Sequence, residues 1–230
     1  MKEKLIQERD KLREMTFAEK RWYIWEYYKL HIIGFIIAAV FIGAIINSRI
    51  NPPPREYLYI AWIGPPVQSH LLFEMADGLI IIVGDPDDTR IVRANSYTAT
   101  GNPQMDSGLQ QRFFAMMISN SIDIILTTRD GVGDVAAQGF SRPVHEVMEI
   151  LAGLNPELYA SIMDSETAFV SALYMPESED EPAEDIMGIS LAGSTFIESF
   201  GIDTEDLYLM VVVTTVRLEA IAKALEVFLS

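Results

Sequence analysis

One apolar stretch differs in kind from every other in the chain. Leu30 to Ser48, LHIIGFIIAAVFIGAIINS, runs nineteen residues without an Asp, Glu, Lys or Arg. As a helix it would rise about 28 Å, close to the roughly 30 Å hydrocarbon thickness of a bilayer. A core helix of that length in a soluble protein carries a polar face. Here the polar side chains are His31 near the start and Asn47 and Ser48 at the end. Trp22, Tyr23, Trp25, Tyr27 and Tyr28 crowd the approach, as an aromatic belt does at a headgroup boundary. A cleaved signal peptide has a shorter apolar run, about 7–15 residues, followed by a small-x-small site. Ile42 and Ala44 make a poor pair for such a site. The pattern predicts an uncleaved transmembrane helix over residues 30–48.

The flanks extend this picture. Thr16-Phe-Ala-Glu19 has the form of a capping box, so a helix beginning at Phe17 is expected to run into the span. Residues 2–14 are mostly charged, with Leu5 and Leu12 seven apart, and are expected to form a separate short helix with a solvated face. Asn51-Pro-Pro-Pro54-Arg55 cannot continue a helix and favours an extended spacer.

Beyond the prolines the pattern alternates. Strands are expected at Tyr57–Ile63, Leu79–Val83, Thr89–Tyr97, Ile122–Leu126, Thr167–Tyr174, Met187–Leu191 and Leu207–Val213, from β-branched and aromatic runs closed by turn residues. Helices are expected from Ser69 to Asp77 with Gly78 as the stop, over Pro103–Asn120, Val132–Gln138 and Val144–Leu151, and over Ser194–Phe200. Val216–Leu229 closes the chain. Leu218, Ile221, Leu225 and Phe228 share one face, with Glu219, Lys223 and Glu226 outside, and this face is expected to pack on the sheet beside Leu207–Val213. Pro176–Asp185 is an acidic loop. Strands interleaved with helices give an α/β class: an N-terminal transmembrane helix followed by a compact mixed-sheet lobe. The expected organisation is residues 1–29 cytoplasmic, 30–48 in the membrane, 49–55 a proline-rich linker and 56–230 an extracytoplasmic domain.

Charge supports the orientation. Residues 1–30 carry eight basic and six acidic side chains, whereas residues 31–230 carry nine basic and 27 acidic ones. Only Arg49 and Arg55 follow the span within about 20 residues, so the N-terminus is expected inside. The net charge of −16 argues against a nucleic-acid partner, because phosphates need a basic surface. The chain has no cysteine, which excludes a disulfide scaffold, a thiolate metal site and a cysteine nucleophile. The lipid bilayer is an expected partner. Gly34 with Ala38, and Ala39 with Gly43, are small-xxx-small pairs through which the span could meet another membrane protein or a second copy.

Two stretches carry a resemblance. The run from Asp123-Ile-Ile-Leu-Thr-Thr-Arg-Asp-Gly to Pro143-Val-His-Glu-Val147, and Leu207-Tyr-Leu-Met-Val-Val-Val with its closing helix, resemble one lobe of the extracellular solute-binding proteins of bacterial transporters. Met15-Thr-Phe-Ala-Glu-Lys, and Trp25-Glu-Tyr-Tyr-Lys-Leu-His before the span, look like a group of uncharacterised single-pass membrane proteins of Gram-positive, clostridia-like bacteria. The resemblance implies a periplasmic-binding-protein-like lobe on an anchor. The 176 residues from Arg55 onward suit one lobe rather than two.

Candidate chemistry is sparse. Gly131-Val-Gly-Asp-Val-Ala136 matches G-x-G-x-x-A, but Thr127–Asp130 separate it from the strand, so an ordinary loop into a helix is expected. Asp85-Pro-Asp87-Asp88 starts like a calcium loop, yet Arg90 and Ser96 stand where Gly and Glu belong, so it reads as a polar turn. His31, His70 and His145 lack metal spacing. No catalytic residue, metal site or cofactor is assigned. Ligands of open α/β sheets sit beyond strand C-termini. Thr127, Thr128, Arg129 and Asp130 are therefore the ligand-site candidates, with Arg129 facing an anionic group. The expected role is a non-catalytic, membrane-anchored extracytoplasmic module that binds a small molecule or a protein. The alternative is a structural or assembly subunit of a membrane complex.

Overall fold

A computed structural model describes residues 16–50, 55–84, 90–174 and 183–230. The chain divides into two compact units, residues 1–53 and 54–230. The expected short helix over 2–14, the prolines of the linker, the turn at Asp85–Asp88 and most of the acidic loop lie outside the described residues.

The first unit contains helix α1, Phe17–Ile50. Its start is the expected capping box: Thr16 N–H and Thr16 Oγ1 each donate to Glu19 Oε2 at 2.8 Å. These bonds hold the Glu19 carboxyl below its ordinary range. Tyr28–Ile50 is 23 residues with a mean hydropathy of 2.4, and none of its most apolar window is buried. At 1.5 Å per residue it reaches about 35 Å, so it is long and apolar enough to cross a membrane.

The second unit is a three-layer α/β/α domain. Its strands are β1 (Glu56–Ile63), β2 (Ile91–Ser96), β3 (Ile124–Thr127), β4 (Ser141–Arg142), β5 (Phe169–Tyr174), β6 (Ala183–Ser190) and β7 (Tyr208–Val212). Their order is β2-β1-β3-β7-β6-β5, with β4 paired to β7. β2, β1 and β3 are parallel, while β3-β7, β7-β6 and β6-β5 are antiparallel. The helices are α2 (Ser69–Val83), α3 (Pro103–Ile118), α4 (Arg129–Ala137), α5 (His145–Leu154), α6 (Pro156–Met163), α7 (Thr195–Glu198) and α8 (Leu218–Leu229).

Both sheet faces are covered, which is why the central strands read as unbroken apolar runs. Alternation along β1 sends Leu58, Ile60 and Trp62 into one core with α2, α5 and α8. Tyr59 and Ala61 enter a second core with α3 and α4. Asp123, immediately before β3, is a buried carboxylate. It accepts from Tyr59 N at 2.9 Å, Thr215 Oγ1 at 2.7 Å and Arg217 Nη1 at 2.7 Å.

Several expectations are corrected. Leu79–Val83 is not a strand; α2 continues through Gly78 to Val83. An apolar run of five satisfies either period, and Leu72, Met75, Ala76 and Leu79 fix the helical one by facing the core. Gly78 serves packing, since a Cβ there would lie 2.7 Å from Phe200 Cζ. Ser69 is the first helical residue, and the cap position, Gln68, makes no side-chain capping bond. Ala183–Asp185 belong to β6 rather than to the acidic loop. Helix α6 was not anticipated; Asn155 caps it by accepting from Leu158 N, with Pro156 in its first turn.

The closing helix lies between α2 and α5 and touches β1, and its Ile221, Leu225 and Phe228 share one core with Leu207, Leu209 and Val211. The bonds from Thr215 and Arg217 to Asp123 tie the β7–α8 connection to the start of β3. Glu226 is not a free charge, because it accepts from Asn155 Nδ2 at 3.0 Å. Ile221, Leu225 and Phe228 are fully buried. Leu225→Ala is expected to cost about 2–5 kcal/mol in thermal or denaturant unfolding of residues 55–230. Glu219→Ala, which removes only the exposed pair with Lys223, should leave the melting temperature unchanged. Equal losses from the two variants would contradict the docking of α8.

Candidate functional site

The order β2-β1-β3 builds a crevice. The chain leaves β1 for α2 on one face and leaves β3 for α4 on the other. The loops therefore part at the C-terminal ends of β1 and β3, the position where open α/β sheets hold ligands. A cleft of about 790 Å³ opens there. Ile63, Gly64 and Pro65 line it after β1, Tyr97 and Thr98 after β2, and Thr127 and Thr128 at β3.

Aromatic rings from three elements form one wall. Tyr97 and Phe113 meet edge-on at 5.3 Å, Phe113 and Phe140 at 5.7 Å, and Phe114 and Phe140 at 5.5 Å. These contacts fix ring positions beyond what area burial does. Tyr97 and Tyr59 share a hydroxyl–hydroxyl bond of 2.8 Å, and Asn95 Nδ2 donates to the Tyr59 hydroxyl at 2.8 Å. Burial, and then the bond to Tyr59, push the Tyr97 phenol above its ordinary range. Tyr97 thus stays a neutral hydroxyl at the cleft.

Hydroxyls pin the loops. Thr98 Oγ1 donates to the Gly64 carbonyl at 2.8 Å, and Thr127 Oγ1 donates to the Ile63 carbonyl. Thr128 caps α4 by accepting from Gly131 N at 3.3 Å. Gly131 has a steric role: a Cβ there would fall 2.1 Å from Thr127 Oγ1. Asp134 and Asp106 are the charged residues on the lining.

The four sequence candidates separate. Thr127 and Thr128 line this cleft. Arg129 and Asp130 do not; they line a groove between α4 and β5. The Arg129 amide donates to Asp206 Oδ1 at 3.3 Å. The helix begins at Arg129, and about 100° of rotation per residue turns successive side chains away from the crevice. Sequence reasoning missed Tyr97, Phe113, Phe114 and Phe140. Among the described residues no group of three or more His, Asp or Glu is placed to hold a metal ion.

Comparison with protein-family models, with curated proteins and with solved structures finds no match to this chain.

The lip of the cleft carries a pH-sensitive contact. Asp106 accepts from Thr100 N at 2.6 Å, Thr100 Oγ1 at 2.8 Å and Gly101 N at 3.1 Å. These bonds hold its carboxyl below the ordinary value of 3.8. A depressed folded-state pKa stabilises the loop above the unfolded value and releases it as pH falls through the folded one. Amide exchange at Thr100 and Gly101, corrected for intrinsic rate, should therefore be slow at neutral pH and should lose protection only as pH falls past the ordinary carboxylate value and through the lower folded-state one. Protection at Thr100 and Gly101 that is absent at neutral pH, or that Asp106→Asn leaves unchanged there, would contradict the contact.

Proposed function

We propose that the chain is a membrane-anchored extracytoplasmic binding module, non-catalytic, resembling a single solute-binding lobe. Its ligand occupies the crevice at the reversal between β1 and β3. The observation that carries this reading is the aromatic-walled cleft of about 790 Å³ at the strand C-termini, a volume within the usual range for small-molecule sites. Aromatic rings and hydroxyls in one lining suit a compact ligand with a flat apolar body and a few polar groups. Arg129 stands outside the cleft, so the anionic recognition expected of it does not belong to this site. The acidic lining residues favour a neutral or cationic ligand. The anchor is the apolar part of α1, with the N-terminus inside, by the excess of basic residues before it.

The test is ligand-detected NMR on residues 55–230 with matched aromatic amines and aromatic carboxylates. Saturable binding of the amines is expected, weakened at least about ten-fold by Phe140→Ala, the loss of one aromatic contact in a binding pocket. No saturable binding to a folded domain, or binding unchanged by Phe140→Ala, would contradict the site. Protease added to intact cells stripped of their wall should digest the chain beyond Arg55 and spare the first 29 residues. Protection of the C-terminal domain would overturn the orientation.

A further inference from the structure

The cleft at the reversal between β1 and β3 is a slot between two helices. β2 leads to α3 and β3 leads to α4 on the same face of the sheet, while β1, which lies between those strands, sends α2 to the other face. A strip over β1 is left without a helix. Asp106 and Phe114 of α3 line it, and so do Asp134 and Gln138 near the end of α4. Among the described residues the lining holds no Lys, Arg or His.

Several polar groups on the lining are spent on the fold. Thr98 Oγ1 and Thr127 Oγ1 donate to backbone carbonyls, and Thr128 Oγ1 caps α4. Asp106 accepts three bonds from Thr100 and Gly101. It also stands in the first turn of α3, where the partial positive charge of the helix N-terminus offsets its own. Asp134 differs on both counts. Among the described residues its carboxylate has no hydrogen bond or ion pair. It stands in the last turn of α4, which holds no basic residue, and there the helix end adds to its negative charge. Gln138 is one turn further along the same side, and its Nε2 donates to the Asp134 carbonyl at 3.0 Å. That bond leaves Gln138 Oε1 as an acceptor beside the carboxylate.

We propose that the ligand of this cleft carries a primary ammonium group, held by Asp134 and Gln138 Oε1 at the C-terminal end of α4, with its apolar body against Phe114 and Phe140; this rests on the cleft being the small-molecule site proposed above.

The ammonium suits this end of the helix. It brings three N–H donors and no acceptor, so it meets the carboxylate and the amide oxygen together. A ligand carboxylate would meet two acceptors and a like charge. A quaternary ammonium keeps the charge but has no N–H to give. The apolar wall adjoins the same point. Phe140 N donates to the Val135 carbonyl at 3.4 Å, so the chain folds back and sets Phe140 beside the turn that carries Asp134. The Phe140 ring in turn meets Phe114 at 5.5 Å. The field of the chain acts in the same sense: residues 31–230 carry nine basic and 27 acidic side chains, an excess that draws cations toward a cleft.

The test uses the full chain in nanodiscs of zwitterionic lipid, with empty nanodiscs as the blank. Three probes are titrated by ligand-detected NMR: phenethylamine, its trimethylammonium analogue and phenethyl alcohol. The amine is expected to bind more tightly than either of the others. Asp134→Asn should lower the ratio of amine to alcohol affinity at least about ten-fold, the loss of a hydrogen bond to a charged group. Taking the ratio cancels any general change in the shape of the cleft. Asp130→Asn removes the same charge from the groove that α4 forms with β5, and should leave the ratio within about two-fold, because salt screens a charge that makes no contact. A ratio unchanged by Asp134→Asn, or lowered equally by Asp130→Asn, while Phe140→Ala still weakens both probes, would overturn the ammonium site and leave the cleft as a ligand site. No saturable binding of any probe, or binding that Phe140→Ala leaves unchanged, would overturn both. Equal binding of the amine and its trimethylammonium analogue would contradict the hydrogen-bonded ammonium. If Asp134→Asn fails to fold, that comparison, made on the unaltered chain, decides alone.

Discussion

A single buried carboxylate sets the geometry on which the rest of the α/β/α domain depends. Asp123 is 2% exposed. Burying a charge costs several kcal/mol unless partners offset the loss of water. Three donors do so: the Tyr59 amide in β1, the Thr215 hydroxyl and the Arg217 guanidinium on the connection from β7 to α8. The backbone of Asp123 adds two bonds, donating to the Tyr59 carbonyl and accepting from Val212 N, both at 3.0 Å. One residue thus joins β1, β3 and β7 and fixes where the chain turns into its last helix. Once that turn is fixed, α8 is placed between α2 and α5 and closes the first core.

The same constraint leaves the opposite end of the sheet open. Asp123 gathers chain at the N-terminal end of β3, so the loops after β1, β2 and β3 are free to diverge at the other. Their divergence creates the cleft. Short hydroxyl bonds at Thr98 and Thr127, and the absence of a Cβ at Gly131, keep its floor in place. The domain is therefore stiff where it is tied and open where a ligand would sit. Packing and site are two ends of one strand.

The sequence shows which parts of this are local. The long apolar helix, the capping box at Thr16, and strands β1 and β3 are legible because composition and periodicity over a short window determine them. The Leu79–Val83 run reads as a strand and is a helix for the same reason: five apolar residues do not choose between periods, and Leu72, Met75 and Ala76 packing in the core make the choice. Asn155-Pro156 carries the cap signal of α6, so that helix was legible in principle. The antiparallel half of the sheet was not, because strand order depends on contacts such as Arg217 with Asp123, 94 residues apart. The site divides the same way. Thr127 and Thr128 follow from a strand-to-helix turn. The wall of Tyr97, Phe113, Phe114 and Phe140 comes from separate elements and is assembled only by the fold.

The most direct measurement is a double-mutant cycle on Asp123 and Arg217, read as unfolding free energy of residues 55–230. Removing the carboxylate with Asp123→Ala strands two polar partners and the guanidinium, and should cost about 3–5 kcal/mol. Arg217→Met should cost less, since that side chain is 34% exposed and the carboxylate keeps two other donors. The double variant should be more stable than the sum of the single losses predicts, with a coupling of about 1.5–3 kcal/mol, the range for hydrogen bonds to charged groups. Additive losses, or a folded Asp123→Ala variant of unchanged stability, would contradict the claim that this carboxylate anchors the sheet and the helix that closes it.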